Sequence, residues 1–557
     1  MPRLVQPGPA SAPLAPVASG GAAAAAASGA SGARGRQSSG HLPPALHRQL
    51  LLALLPCGPL LALVLLPLQG LAIAGYAIEG LWPHGQPGLE DPLLPVLVFC
   101  GTLTLLALAW GPLAAGRGSG ALAVEGLQDP GLPKAEREQL LAVLGWRAQL
   151  QRLTLLALGH GAGLAVGIET PAAAFGASTL LALRARLPGL GGLPVPLLAA
   201  IGAGAGLGAT FRSPLLGVIY AVECLGSSTR LSLVWPTLLL AGLASLLTLT
   251  PLGGLAQWGP ASLQDSLTGL GSQGLPGTLG GAALSPGPLL EGLAHLGPLA
   301  SLGLAPLGLA PLGLVPGLAP GLSQGGALPL APVLLPWALL LTLVAALVGA
   351  GLRWALLVLT PRINRLLQRR FLSTALVLAV LAAVLAHLSG GISLNDGARD
   401  LTAALGGAAA VPRWAALPRL LSPLLASASG APGGLSLDCM SLGALLAAPL
   451  VRRFGADQQL ILIALSAAVL FSAACRTPLL AAVFVMVLQG QGASLPLLLL
   501  ASAIGAAVAG AIPDPPLAAS FGTLLHGVPL PAPVDRPGDD RLVPGGISAD
   551  RPSGGGD

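Results

Sequence analysis

The sequence predicts an all-α polytopic membrane protein, built as two inverted halves with discontinuous helices. Three observations predict it. The chain is 54% hydrophobic and only 9% charged, with a mean hydropathy of +0.80; soluble domains carry roughly 25% charged residues. Apolar segments of membrane-spanning length recur along the chain, and several are short and interrupted by glycine or proline, the pattern of broken membrane helices. Two short motifs also recur at nearly one spacing, so one half of the chain repeats the other.

Composition excludes several function classes. The net charge of +6 comes from 27 basic and 21 acidic residues, too few to mark a polyanion-binding surface, and no basic patch with interleaved aromatics supports nucleic-acid binding. Cys57, Cys100, Cys224, Cys439 and Cys475 are scattered singly, which argues against a disulfide framework or a metal site. No nucleophile–base pair or cofactor motif is visible, so the chain does not read as an enzyme. His160, nine residues before Glu169, reads as a structural imidazole or, as the alternative, a proton relay.

In chain order, residues 1–46 are mostly Ala, Gly, Ser and Pro and read as a disordered cytoplasmic tail. The first membrane half, 47–254, opens with Leu50–Trp82, long enough for one tilted helix with a break at Pro56 or Pro67. Leu93–Leu113 follows as a second span. Gly116–Gly126 reads as a flexible elbow around Ser119, whose hydroxyl can donate to an anion, or equally well as an ordinary interhelix loop. Asp129–Arg152 is charged enough for an amphipathic connection. Leu153–Leu181, Leu193–Cys224 and Leu231–Leu249 are apolar.

Residues 255–330 are a low-complexity loop whose repeat, Gly303-Leu-Ala-Pro-Leu307 onward, places a proline every fifth residue. Such a chain cannot span lipid with its backbone satisfied. It has no Lys or Arg, whereas Arg353, Arg362, Arg365, Arg369 and Arg370 follow it. The positive-inside rule therefore puts the loop outside and the arginines inside. The second half, 331–530, carries apolar segments at Ala331–Leu359, Phe371–Leu388, Leu417–Ala428, Met440–Leu450, Leu460–Leu488 and Leu495–Ile512. A polar tail occupies 531–557.

One carboxylate, Glu169, stands inside the apolar, small-residue stretch Gly161–Leu181. An ionisable group at that depth costs at least about 2.5–3.5 kcal/mol and marks an ion path by default. Gly167 frees the backbone, Pro171 suits the first turn of a helix, and Thr170 is pushed toward extended geometry. Glu169 then sits at a helix N-terminus, where it competes with a mobile anion for one positive pocket. The alternative is a solvated glutamate at an interfacial turn.

The repeat supports the ion-path reading. Arg212-Ser-Pro214-Leu-Leu216 recurs 264 residues on as Arg476-Thr-Pro478-Leu-Leu480, and the spacing from Gly167 to Gly176 recurs 267 residues on from Gly434 to Gly443. With the N-terminus inside and the 255–330 link outside, each half crosses an odd number of times. The second copy is then inverted, and substrate binds near the midplane where the halves meet.

Four stretches resemble the CLC family of chloride channels and proton-coupled chloride exchangers. They are Gly118-Ser119-Gly120 with Glu125-Gly126; Gly167-Ile168-Glu169-Thr170-Pro171; Phe211–Gly217 with Glu223 behind it; and Ser429–Leu435. The resemblance implies a CLC-type homodimer with one anion path per subunit in the lipid bilayer. It implies chloride or another small anion held by Ser119 within Gly118–Gly120 and by the backbone N–H groups of Leu435 and Ser436, with Glu169 as the gate. The family's internal proton-accepting glutamate falls on Cys224, beside Glu223, and its anion-coordinating tyrosine on Ala518. Ser436 and Asp438 replace the family's Phe and Pro. These departures predict transport that is channel-like or loosely proton-coupled, with protons routed through Glu223 if they move. A strict chloride/proton antiporter and a non-transporting membrane scaffold are the alternatives.

Overall fold

A computed structural model describes residues 44–80, 93–129, 131–225, 231–248, 334–406, 411–489 and 494–513. Nearly all of the 1–46 tail, the 255–330 loop, the 531–557 tail and Ala518 lie outside the described residues.

The first half runs α1 (Pro44–Gly80), α2 (Leu93–Ala109), α3 (Gly120–Gly126), α4 (Lys134–Val143), α5 (Trp146–Gly161), α6 (Glu169–Arg184), α7 (Pro188–Gly191), α8 (Val195–Thr210), α9 (Pro214–Glu223) and α10 (Leu231–Ser245). The second runs α11 (Leu335–Arg369), α12 (Phe371–Leu388), α13 (Ala398–Gly406), α14 (Ala416–Ser429), α15 (Ser436–Val451), α16 (Ala456–Cys475), α17 (Pro478–Gln489) and α18 (Leu495–Ala511). Four segments, Leu52–Ala72, α11, α12 and α16, are long and apolar enough to cross a membrane; others are shorter apolar helices. Leu372, Val377, Leu381 and Leu388 on α12 are exposed, as large apolar side chains are in an integral multi-pass membrane protein.

The repeat is physical as well as textual. Helices α6 and α15 are each 16 residues long. Gly176 of α6 lies so close to Gly202 and Gly206 of α8 that a Cβ would strike their backbone, and a Cβ on Gly443 of α15 would likewise come within 2.6 Å of the Ser466 carbonyl of α16. Small residues let membrane helices cross this closely. The two motif arginines, Arg212 and Arg476, both adopt left-handed backbone, at φ 47° and 59°. That conformation ends α8 and α16 before the following Ser/Thr-Pro opens the next helix. Ser213 accepts a hydrogen bond from the Leu216 N–H at 3.4 Å and so caps α9. The halves share a core in which Phe211 packs on Phe484 at 4.8 Å between ring centroids, and Phe484 on Phe471 at 6.2 Å.

Several local expectations are corrected. Helix α1 continues through Pro56, Pro59 and Pro67 instead of breaking; neighbouring membrane helices make such prolines tolerable. Gly120–Gly126 is a helix, so the elbow ends at Ser119. Thr170 is helical, not extended, because the chain is already fixed at Gly167 and Glu169 opens the helix. Leu153–Leu181, Leu193–Cys224 and Leu460–Leu488 each divide into two helices, at 162–168, 211–213 and 476–477.

Candidate functional site

Two helix N-termini, one from each half, meet at the site. Gly167 and Gly434, just before α6 and α15, form an isolated antiparallel bridge. The Gly167 N–H donates to the Gly434 carbonyl at 3.3 Å, and the Gly434 N–H to the Gly167 carbonyl at 3.0 Å. A side chain on either glycine would run into the Glu169 carboxylate, so both positions need a bare backbone.

Glu169 is the first residue of α6 and is 2% exposed. Its Oε1 accepts a hydrogen bond from the Leu437 N–H at 3.1 Å, in the first turn of α15. Its Oε2 is buried with no hydrogen-bond partner among the described residues. The N–H groups of that first turn have no intrahelical acceptor, and the helix dipole adds partial positive charge there. Leu435 precedes α15 and Ser436 opens it, so both stand at the end that Glu169 occupies.

Ser119 belongs to a third element. It precedes α3, is partly exposed, and does not cap its helix. The Gly118 N–H donates to the Gly430 carbonyl at 3.1 Å, which ties this end of α3 to the loop before α15. Gly120 lies against Ala174 of α6 and against Arg152. Arg152 is fully buried; its Nε donates to the Gly118 carbonyl at 3.4 Å and its Nη1 to Gln149 Oε1 at 2.6 Å. None of its described partners is a carboxylate. Pro171, Pro214 and Gly434 stand in or just before the first turns of α6, α9 and α15, as their motifs suggest.

Glu223 and Cys224 stand elsewhere, at the C-terminal end of α9. Both Glu223 oxygens accept backbone N–H groups at the start of α17, from Leu479 at 2.9 Å and Leu480 at 2.6 Å. Cys224 is half-buried and follows the last residue of α9. His160 is buried at the end of α5, against Gly75 of α1.

One cluster escaped the sequence reading. Arg419 of α14 is fully buried and donates to Asp438 Oδ1 of α15 at 3.2 Å, to Asp400 Oδ2 of α13 at 2.6 Å, and to the carbonyls of Asn395, Leu394 and Ile392. Asp396, also fully buried, lies nearby. Asp438 directly follows Leu437, whose N–H holds Glu169. A lone arginine in the apolar stretch Leu417–Ala428 was the available signal, since a cation there needs a partner.

An all-helical, internally repeated membrane bundle, with two facing helix N-termini and one carboxylate between them, defines an integral membrane protein that moves ions. The chain belongs to the voltage gated chloride channel family, whose sequence profile matches residues 97–283 and 299–510. Solved structures share the fold. A slow cyanobacterial Cl⁻/H⁺ antiporter is 17% identical, with 87% of this chain and 98% of that one aligned at a TM-score of 0.54. A eukaryotic CLC transporter is 17% identical over 87% of this chain and 75% of that one, with a TM-score of 0.55. A CLC-type fluoride/proton antiporter is 19% identical over 86% and 99%, with a TM-score of 0.56. No curated protein matches the chain.

Proposed function

We propose that this protein conducts chloride or a similar small anion along a path gated by Glu169, in a channel-like or loosely proton-coupled manner. One observation carries the reading: the Glu169 carboxylate occupies the α15 N-terminus through the Leu437 N–H. An anion there meets the same donors and the same dipole. Ionised Glu169 and a mobile anion therefore exclude each other, and protonation releases the carboxylate. The Ser119 hydroxyl and the N–H groups at the start of α15, including those of Leu435 and Ser436, replace water around the ion. Arg152, buried beside Gly118 and Gly120, contributes positive charge behind Ser119.

Loose coupling is supported on the other side of the path. The position at which the resemblance expects an inner proton-accepting glutamate is Cys224, and Glu223 is committed through both oxygens to the start of α17. A homodimer, with an independent path in each subunit, is the assembly we infer.

Reconstitution into liposomes with simultaneous chloride and proton electrodes tests the proposal. Chloride efflux with little accompanying proton movement is expected. Stoichiometric proton movement contradicts loose coupling, and absence of any anion flux from properly inserted protein favours the scaffold.

A further inference from the structure

We propose that Asp438 is a second carboxylate of the gate, one that hands a proton to Glu169. The inference rests on Glu169 as the gate and adds the group that loads it. Leu437 donates its N–H to Glu169 Oε1, and Asp438 is the next residue along the same first turn of α15. The two carboxylates belong to different halves and are linked through the Leu437 N–H at the start of α15. Each is almost wholly buried, at 2% and 1% exposed. Each also has one oxygen engaged and one without a hydrogen-bond partner among the described residues: Glu169 Oε2 and Asp438 Oδ2.

The charges around the pair explain how a proton is shared. From α14, Arg419 engages Asp438 Oδ1, and from α13, Asp400 engages the same guanidinium; the buried Asp396 of the loop before α13 adds its charge to both Glu169 and Asp438, and the thiols of Cys439 and Cys475 complete the titratable groups around the pair. One arginine thus stands among several buried carboxylates. Ionised carboxylates that share one water-excluded site repel each other.

The step is balanced within the pair. The O–H bond on Asp438 Oδ2 breaks and one forms on Glu169 Oε2, directly or through one water. Negative charge moves from Glu169 to Asp438, where Arg419 neutralises it. Neutral Glu169 no longer competes for the α15 N-terminus and leaves it to the anion. Asp400, 13% exposed against 0% for Arg419 and Asp438, extends the cluster toward the surface.

The test is chloride efflux from liposomes as a function of external pH, for wild type, Asp438→Asn, Glu169→Gln and the double variant. Asp438→Asn removes the like charge and the donor, so its activation midpoint is expected to fall by about one pH unit. The double variant is expected to match Glu169→Gln. An unmoved midpoint in Asp438→Asn, while Glu169→Gln alone abolishes pH dependence, overturns this inference and leaves the gate intact. PH dependence persisting in Glu169→Gln overturns the gate itself. Should Asp438→Asn fail to fold, infrared difference spectra of the wild type and Glu169→Gln decide. Two exchangeable carboxylic-acid environments in the wild type, with one remaining in Glu169→Gln, are expected; loss of every such band in Glu169→Gln overturns the inference.

Discussion

Gly167 and Gly434 exchange both backbone hydrogen bonds, at 3.3 Å and 3.0 Å, although they belong to different halves of the chain. Each is the last fixed point before a helix that begins beside Glu169. The bridge therefore sets the distance between the N-termini of α6 and α15, and with it the space that the Glu169 carboxylate occupies.

Substituting Gly434 with alanine should loosen the gate. The added methyl meets the Glu169 carboxylate and comes within 3.3 Å of its Cβ. Overpacking of this kind costs about 1–3 kcal/mol, and displacement of the Glu169 side chain relieves it. Chloride leak at alkaline pH should rise while the protein stays folded, as liposome efflux and a thermal melt would register. A tight gate with wild-type pH response in Gly434→Ala would mean that Glu169 is not held against this bridge.

Ser119→Ala removes one hydroxyl from the end of α3 without touching a helix cap, since Ser119 makes none. A hydrogen bond to a charged group contributes about 1.5–3 kcal/mol, so chloride affinity should weaken roughly tenfold or more. Anion competition measured by flux or calorimetry reads this directly. Unchanged affinity and unchanged preference over nitrate would put the ion elsewhere.

Much of this site was legible before any coordinates. Glu169 stood out because a carboxylate in a run of small apolar residues has few bland explanations, and the two Gly-x₈-Gly spacings marked the paired helices α6 and α15. Both signals are local in sequence. The Arg419–Asp438–Asp400 cluster was not legible, because its bonds join α13, α14 and α15, which no periodicity relates. Helix α13 was missed for a similar reason: nine residues with two charges look like a loop. The continuity of α1 through three prolines depends on neighbours that supply what the helix lacks. Glu223 was visible as a lone acid, but its engagement with α17 depends on the second half folding beside it.

Glu223→Gln should affect stability more than transport. The carboxylate accepts two N–H groups at the N-terminus of α17, and hydrogen bonds to a charged group contribute about 1.5–3 kcal/mol each. The amide keeps one acceptor and loses the charge. A lower melting temperature with nearly intact chloride flux is expected, and any residual proton movement should fall. Full stoichiometric proton pumping in Glu223→Gln would require another relay, with His160 the first to examine.

In the proposed gate the Glu169 carboxylate and the mobile anion compete for the first turn of α15. Chloride flux through purified Glu169→Gln, measured in liposomes from acidic to neutral pH, tests it most directly. The neutral amide mimics the protonated acid, so wild-type flux should rise as pH falls, whereas the variant should be open throughout and flat with pH. A variant that retains the wild-type pH dependence would remove Glu169 from the gate and contradict the account.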